Sequence, residues 1–185
     1  MCKYVVWSAA VTAFLAVFFV AAGEAQPGQR PLGLGHTPTA AEIQAWDIAI
    51  GPDGKELPSG QGTAREGATL YREKCVMCHG EHGSEGPQDV LVGGQGSLAT
   101  AKPLRTIGSF WPYATTIYDY IYRAMPFYAP GSLSPSEVYA LTAYLLFRNG
   151  IVGEEDMIDA QTLPKVMMPN RDGFRPDPRP ERVGQ

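Results

Sequence analysis

The sequence predicts an all-α fold of three to four helices joined by long loops, with irregular extensions at both ends. Three segments carry helical spacing or capping signals, and no segment sustains the polar–apolar alternation of a strand. The 21 glycines and 16 prolines among 185 residues assign much of the chain to loops. A composition with 44% hydrophobic and 18% charged residues is typical of one globular domain, which we place at residues 63–150.

Residues 1–25 are typical of an export signal. Lys3 is followed by an uncharged run, Tyr4 to Val20, and then by small residues. We expect cleavage between Ala22 and Gln26, because the apolar run is shorter than the roughly 20 residues that a spanning helix needs. An uncleaved membrane anchor is the alternative. Both interpretations predict a periplasmic domain, which is held at the membrane only if the segment is retained.

Residues 26–62 form a predicted extension of turns and loops. Within it, Thr39 and Glu42 have the spacing of a capping box and predict a short helical turn. The first helix of the domain is predicted over residues 64–74, where a cap precedes a helical pattern without proline. Residues 80–113 follow as loops, punctuated by Gly-Pro and Gly-Gly pairs.

The middle helix is predicted over residues 115–124. Its expected apolar face consists of Ile117, Tyr120, Ile121 and Ala124. Pro126 ends this helix, since the residue before a proline is displaced from helical geometry.

The clearest helix signal lies in SPSEVYALTAYLLFRNG, residues 134–150. Ser134 caps the helix, Pro135 suits its first turn and Glu137 completes a capping box. Asn149 and Gly150 end it. Its expected apolar face comprises Val138, Leu141, Tyr144 and Leu145.

Residues 151–185 form a predicted extension rich in proline and arginine. Within it, EEDMID is predicted to form one acidic turn, and residues 163–185 are expected to be extended rather than packed into a core. The two extensions are expected either to cover the domain surface or to wrap a partner subunit. The formal net charge of −4 argues against nucleic-acid binding through a basic face. The same charge is compatible with docking to a basic patch on a protein partner.

The stretch YREKCVMCHGEHG, residues 71–83, contains the chemically distinctive pattern of the chain. Cys75, Cys78 and His79 form C-x-x-C-H, an attachment signature of c-type haem. Two thiols at this spacing add to the two vinyl groups of one haem, and the histidine provides a nitrogen ligand to the iron. The alternatives are zinc, a redox dithiol and a structural disulfide. One motif predicts one covalently bound haem c.

Beyond this motif, the sequence resembles the class I cytochrome c family over residues 63–150. Gly67 and Tyr71 match the glycine and the aromatic residue of the family's first helix, and LTAYL matches its last helix. The resemblance implies that the helices and loops wrap around one haem. It also implies that Leu141 and Tyr144 cross the first helix at Gly67.

The same resemblance implies a sixth iron ligand. The Met-Pro pair in AMPF lies where the family keeps its distal methionine, which makes Met125 the expected ligand opposite His79. Met168 also precedes a proline but lies in the tail, and Met77 lies on the proximal side. The remaining candidates are Met157, Met167, His36 and His82.

Further haem contacts are implied by the family pattern. A carbonyl in a Gly-Pro turn orients the proximal histidine in family members, and Gly86-Pro87 makes Pro87 the candidate here. Arg105, Trp111 and Tyr113 are candidates for binding the haem propionates. A plain core position for Trp111 and a solvated position for Arg105 are the alternatives.

The flanking segments resemble those of the cytochrome subunits of bacterial sulfite and sulfane dehydrogenases. This likeness extends from TPTAAEIQAWD to MPNRDGF and implies an electron carrier that is not itself a catalyst. The implied donor is a molybdenum-cofactor subunit, and the implied acceptor is another cytochrome or an oxidase of the respiratory chain. The alternatives are a shuttle for another periplasmic dehydrogenase, and a haem protein whose displaceable distal ligand permits gas binding or peroxidase-like chemistry.

Overall fold

Helices are the main elements of the computed structural model, which describes residues 34–178. In chain order they are α1 (Ala40–Trp46), α2 (Ala64–Lys74), α3 (Val76–His79), α4 (Ala114–Ala124) and α5 (Pro135–Arg148). Single 3-10 turns occupy Ser97–Ala99 and Leu163–Lys165. The prediction of a mainly helical fold is confirmed. The predicted export signal, residues 1–25, lies outside the described residues.

A small antiparallel ladder joins two short strands, β1 (Gln61–Gly62) and β2 (Ile158–Asp159). Gln61 is opposite Asp159, and Gly62 is opposite Ile158. This ladder is a small addition to the predicted all-α architecture. Two-residue strands are too short to show an alternating pattern, so the sequence could not reveal them.

The helix α1 belongs to a unit that ends at Trp46 and is separate from the unit that begins at Asp47. It begins as the sequence predicts, because the Glu42 carboxylate accepts hydrogen bonds from the backbone N–H and the hydroxyl of Thr39, both at 2.8 Å. None of its residues is buried. Ile43 is 51% exposed and Trp46 is 87% exposed.

Capping boxes fix the starts of α2 and α5. Glu66 accepts from the backbone N–H of Thr63 at 2.8 Å, and Glu137 accepts from that of Ser134 at 2.8 Å. Each cap hydroxyl in turn accepts from the backbone N–H three residues later. The predicted helix over 64–74 and the predicted start of the last helix are both confirmed.

The helices α2 and α5 cross at Gly67, where their backbones are in direct contact. A Cβ atom on Gly67 would lie 2.0 Å from the carbonyl oxygen of Ala140 and 2.8 Å from Cβ of Tyr144. The rings of Tyr71 and Tyr144 meet beside this crossing, with centroids 5.0 Å apart. The crossing at Gly67 and the role of Tyr144 are confirmed. The residue opposite Gly67 is Ala140 instead of Leu141, which is buried in the core.

The buried face of α4 differs from the predicted one. Ile117 and Ile121 are buried as expected, but Tyr120 is 48% exposed and Tyr118 is fully buried. Tyr118 packs against Tyr139 of α5, with ring centroids 4.4 Å apart. Both tyrosines neighbour the Ile117–Ile121 row on the helix, so contact with α5 decides which of them is buried.

The core also includes residues from outside the predicted 63–150 domain. Ile50 joins it from the amino-terminal side, and Ile158, Leu163 and Met168 join it from the tail. Leu163 is 0% exposed and Met168 is 3% exposed. The expectation of an extended, unpacked tail is therefore wrong for residues 163–168.

Asp119 of α4 attaches the segment before α2 to the core. Its carboxylate accepts a hydrogen bond from the backbone N–H of Ile50 at 2.9 Å and forms an ion pair with Arg123. Burial tends to raise the pKa of this carboxyl. The hydrogen bonds from Arg123 and Ile50 outweigh burial, so the pKa of Asp119 is lowered and the group stays ionised at neutral pH.

We expect Thr142→Val to stabilise the protein by about 1 kcal/mol. The Thr142 hydroxyl in α5 is buried and has no hydrogen-bond partner within the described residues, so folding removes it from water without compensation. The control is Thr115→Val, because the Thr115 hydroxyl is also buried but donates to the Pro52 carbonyl at 3.4 Å. Denaturant unfolding should give opposite signs for the two variants. A loss of stability in Thr142→Val would contradict this account.

Candidate functional site

One helical turn brings the two cysteines and the histidine of the motif together. Cys75 ends α2 and also precedes α3, and its carbonyl accepts hydrogen bonds from the backbone N–H groups of Cys78 at 3.1 Å and His79 at 2.9 Å. Both thiols are free and half-buried. Burial raises the pKa of the Cys75 thiol to about 11, and Cys78 adds to the shift. The Cys75 thiol is therefore neutral at neutral pH.

A backbone carbonyl orients the imidazole of His79. Nδ1 of His79 lies 2.9 Å from the carbonyl oxygen of Asp89. Because a carbonyl oxygen only accepts, we assign the ring hydrogen to Nδ1, which leaves Nε2 with a free lone pair. A histidine ligand to a metal commonly has this arrangement.

The prediction that Pro87 supplies this carbonyl is wrong, since the carbonyl belongs to Asp89. The Gly-Pro turn has another role. A Cβ on Gly86 would lie 2.2 Å from the Cys78 carbonyl oxygen and 2.5 Å from the His79 carbonyl carbon. Only glycine permits so close an approach to the backbone of α3. The chain then continues past α3, with Gln88 N donating to the Cys78 carbonyl at 2.9 Å.

The loop after the motif is fixed by Glu85. Its carboxylate accepts from the backbone N–H of Ser84 at 2.9 Å and of His82 at 2.8 Å. The Ser84 hydrogen bond, with that from His82, lowers the pKa of Glu85 to about 2. His82 itself is exposed, and His36 lies in the separate unit with α1, where it contacts Glu42. These are the positions of the two histidines that the sequence left as rival ligands.

Met125 lies directly after α4, as the sequence predicts. It is half-buried, packs against the core, and its N–H donates to the Ile121 carbonyl at 3.0 Å. The other candidate methionines differ in exposure. Met168 is a core residue with 3% exposure, whereas the remaining three are exposed: Met77 at 77%, Met157 at 43% and Met167 at 69%.

The three residues predicted to bind propionates lie in the loop before α4, each with its own partner. The Arg105 guanidinium is exposed and lies 5.3 Å from the centre of the Phe110 ring. Trp111 is half-buried, and its ring packs edge-on against that of Tyr120 with centroids 5.8 Å apart. Tyr113 is also half-buried and caps α4. The described contacts do not bring the three side chains together.

Sequence reasoning missed the residues of the tail that support this loop. Asn170 donates to the Phe110 carbonyl at 2.7 Å, and the ring of Phe174 packs against that of Phe110 with centroids 5.3 Å apart. Arg171 lies 5.2 Å from the centre of the Tyr113 ring. A proline-rich tail gives no periodic signal, so its contacts were not predictable from the pattern.

The sequence assigned Asn149 only to the end of the last helix and did not reveal the hydrogen bonds of its side chain. Its side chain accepts from Gly93 N at 3.0 Å and donates to the Leu91 carbonyl at 3.2 Å. These two hydrogen bonds join the end of α5 to the segment just after Asp89.

Comparison with known proteins gives two similarities. The family model described as cytochrome C oxidase, cbb3-type, subunit III matches residues 62–145. The crystal structure of the sulfane dehydrogenase SoxCD from Paracoccus pantotrophus contains a chain that is 44% identical. The match covers 80% of this chain and 74% of that chain, with a TM-score of 0.72. No curated protein gave a match.

Proposed function

Since this chain belongs to the class I c-type cytochromes, we propose that it is a monohaem electron carrier that serves a sulfite- or sulfane-oxidising dehydrogenase. The observation that carries the proposal is the C-x-x-C-H turn, in which His79 is oriented with a free Nε2 by the Asp89 carbonyl. The likeness to SoxCD supports a partner in sulfur oxidation.

The donor set fits one haem c. Cys75 and Cys78 are free thiols on one turn, as two thioether bonds require, and His79 offers Nε2 as an iron ligand. Met125 is the residue that would supply the second iron ligand. When bound, the haem supplies one-electron exchange between the ferric and ferrous states. The protein's part is to hold both ligands in place, so that electron transfer requires little rearrangement.

For Met125→Ala, we expect the ferrous protein to bind carbon monoxide at neutral pH and the reduction potential to fall by an amount on the order of 0.1 V. A thioether ligand stabilises ferrous iron and closes the distal position. Visible spectra and a redox titration measure both effects. Met167→Ala is the control, because Met167 is 69% exposed. Rapid carbon monoxide binding by the wild-type protein would instead favour a displaceable distal ligand and a gas-binding or peroxidase-like role.

The proposed donor is a molybdenum-cofactor dehydrogenase subunit, and the proposed acceptor is another cytochrome or an oxidase. The test uses protein purified gently from the native periplasm, where sulfite is added to the haem-containing gel-filtration peak. Rapid haem reduction supports a sulfite-oxidising partner in that peak. A haem that ascorbate reduces but sulfite does not would indicate a carrier for a different dehydrogenase.

The exposed helix α1 is the proposed contact with the dehydrogenase subunit. A seven-residue helix is marginal in water by itself, and this one buries none of its side chains. We therefore expect α1 to be ordered when a partner surface covers Ile43 and Trp46, which are 51% and 87% exposed. Aromatic and aliphatic anchors of this kind commonly dominate binding energy.

Replacing both anchors, as Ile43→Ser with Trp46→Ser, should weaken binding of the dehydrogenase subunit at least about tenfold. The haem spectrum should stay unchanged, since neither residue belongs to the core. Gln44→Ala on the same helix is the control. Affinity is measured by titrating the purified subunits. Unchanged affinity in the double variant would place the contact elsewhere.

Export to the periplasm, with the segment 1–25 removed or kept as a membrane anchor, is also part of the proposal. No helix within residues 34–178 combines the length and apolar character needed to cross a membrane. Amino-terminal sequencing of the exported protein tests the proposal. A start between Ala22 and Gln26 supports cleavage, and an intact start supports the anchor.

A further inference from the structure

The side-chain amide of Asn149 is fully engaged at the end of α5. Its Nδ2 donates to the carbonyls of Leu91 at 3.2 Å and Leu145 at 2.9 Å, while its Oδ1 accepts from Gly93 N at 3.0 Å. Asn149 is only 8% exposed, so these hydrogen bonds are largely shielded from water. Both donor hydrogens and the acceptor oxygen are therefore satisfied by the protein.

Gly108 provides the space for this amide. A Cβ at Gly108 would lie 2.2 Å from Oδ1 of Asn149 and 2.6 Å from Nε2 of Gln95. Gln95 in turn donates to the backbone carbonyl of Asn149 at 2.9 Å. The amide is thus enclosed by backbone on several sides, which fixes its orientation.

The segment that Asn149 holds is continuous with the carbonyl that orients His79. Leu91 follows Asp89 by two residues, and its N–H donates to the Gly83 carbonyl at 2.7 Å. Gly83 and Asn149 therefore both hold the chain just after Asp89, and just before it Gln88 N donates to the Cys78 carbonyl at 2.9 Å. These hydrogen bonds fix the segment that carries the Asp89 carbonyl.

We propose that Asn149 is a positioning residue for the proximal histidine, which acts by holding the segment 91–93 and thereby the Asp89 carbonyl against Nδ1 of His79. The inference rests on the proposed ligation of haem iron by His79. A firm hydrogen bond from Nδ1–H increases the electron density at Nε2 and strengthens the imidazole as a ligand. Ferric iron gains more from that donation than ferrous iron. Asn149 therefore lowers the reduction potential.

The test compares Asn149→Ala with Gln95→Ala in the haem-loaded protein. Asn149→Ala should speed exchange of the His79 Nδ1 hydrogen by about tenfold, as NMR measures it. The ferrous-to-ferric ratio at a fixed potential should rise by up to about tenfold, a shift of about 59 mV for one electron. Gln95→Ala removes the neighbouring hydrogen bond to the backbone carbonyl of Asn149. It leaves the hydrogen bonds between the Asn149 side-chain amide and residues 91 and 93 in place.

A second control is Leu163→Ala, which destabilises the core through a residue that is 0% exposed. If Asn149 were merely structural, Asn149→Ala and Leu163→Ala would leave both readouts unchanged, and that result overturns the inference. If Asn149→Ala fails to fold, Asn149→Ser, which retains one donor, is measured against the same predictions. Wild-type protein without haem would overturn the proposed function itself, which is a distinct outcome.

Discussion

Gly67→Ala should destabilise the protein by at least about 3 kcal/mol, although the same change in an open helix stabilises by up to about 1 kcal/mol. The new methyl group would lie 2.0 Å from the Ala140 carbonyl oxygen and 2.6 Å from its carbonyl carbon. These are backbone atoms of α5, so no side-chain rotation relieves the clash. The helices must separate, and the Tyr71–Tyr144 contact beside them is lost with the crossing. Chemical denaturation followed by circular dichroism measures the effect.

Two controls separate this clash from a change in helix propensity. Thr69→Ala, at an exposed site on the same helix, should change stability by less than about 0.5 kcal/mol. Ala140→Gly should fail to rescue Gly67→Ala, because it removes a side chain and leaves the obstructing carbonyl in place. Rescue by Ala140→Gly would show that the two helices meet through side chains instead.

Deleting residues 163–185 should lower the free energy of unfolding by at least about 4 kcal/mol, a large part of the stability of a typical domain. The deletion removes two core side chains, Leu163 and Met168, which are 0% and 3% exposed. It also removes Asn170 and Arg171, which contact the loop before α4. We expect impaired folding and a lower yield of haem-loaded protein, measured by absorbance per protein and by thermal unfolding.

The matched truncation removes only residues 179–185, which lie beyond the described part of the chain. This truncation should leave the free energy of unfolding and the yield of haem-loaded protein unchanged. A second comparison sets Leu163→Ala, with an expected loss of about 2–5 kcal/mol, against Lys165→Ala at an exposed site of the same 3-10 turn. A normal haem yield and unchanged stability after removal of 163–185 would contradict the assignment of the tail to the core.

The extent to which the sequence predicts this structure depends on how local the determining signal is. The starts of α2 and α5 were predictable because Thr63–Glu66 and Ser134–Glu137 satisfy their own backbone groups within three residues. The turn with Cys75 to His79 was predictable for the same reason, since the spacing itself carries the chemistry.

The remaining parts depend on contacts between distant segments. The carbonyl that orients His79 is set by the path of a loop, and the motif did not distinguish Asp89 from Pro87. The tail residues Ile158, Leu163 and Met168 recur at intervals of five, which fits neither a helix nor a strand. Only the folded chain reveals that they share one core.

The contact of α2 with Ala140 determines when the chain, made from its amino terminus, is able to complete its fold. Gly62 and Gly67 both pack against Ala140, and Met168 of the tail belongs to the same core. During vectorial synthesis, α2 therefore completes its packing only after α5 and the tail have been made, because domains generally fold as units. Throughout that interval the Cys75 and Cys78 thiols lie on a segment without its packing partners. Covalent modification of these thiols can therefore take place before the core is packed around them.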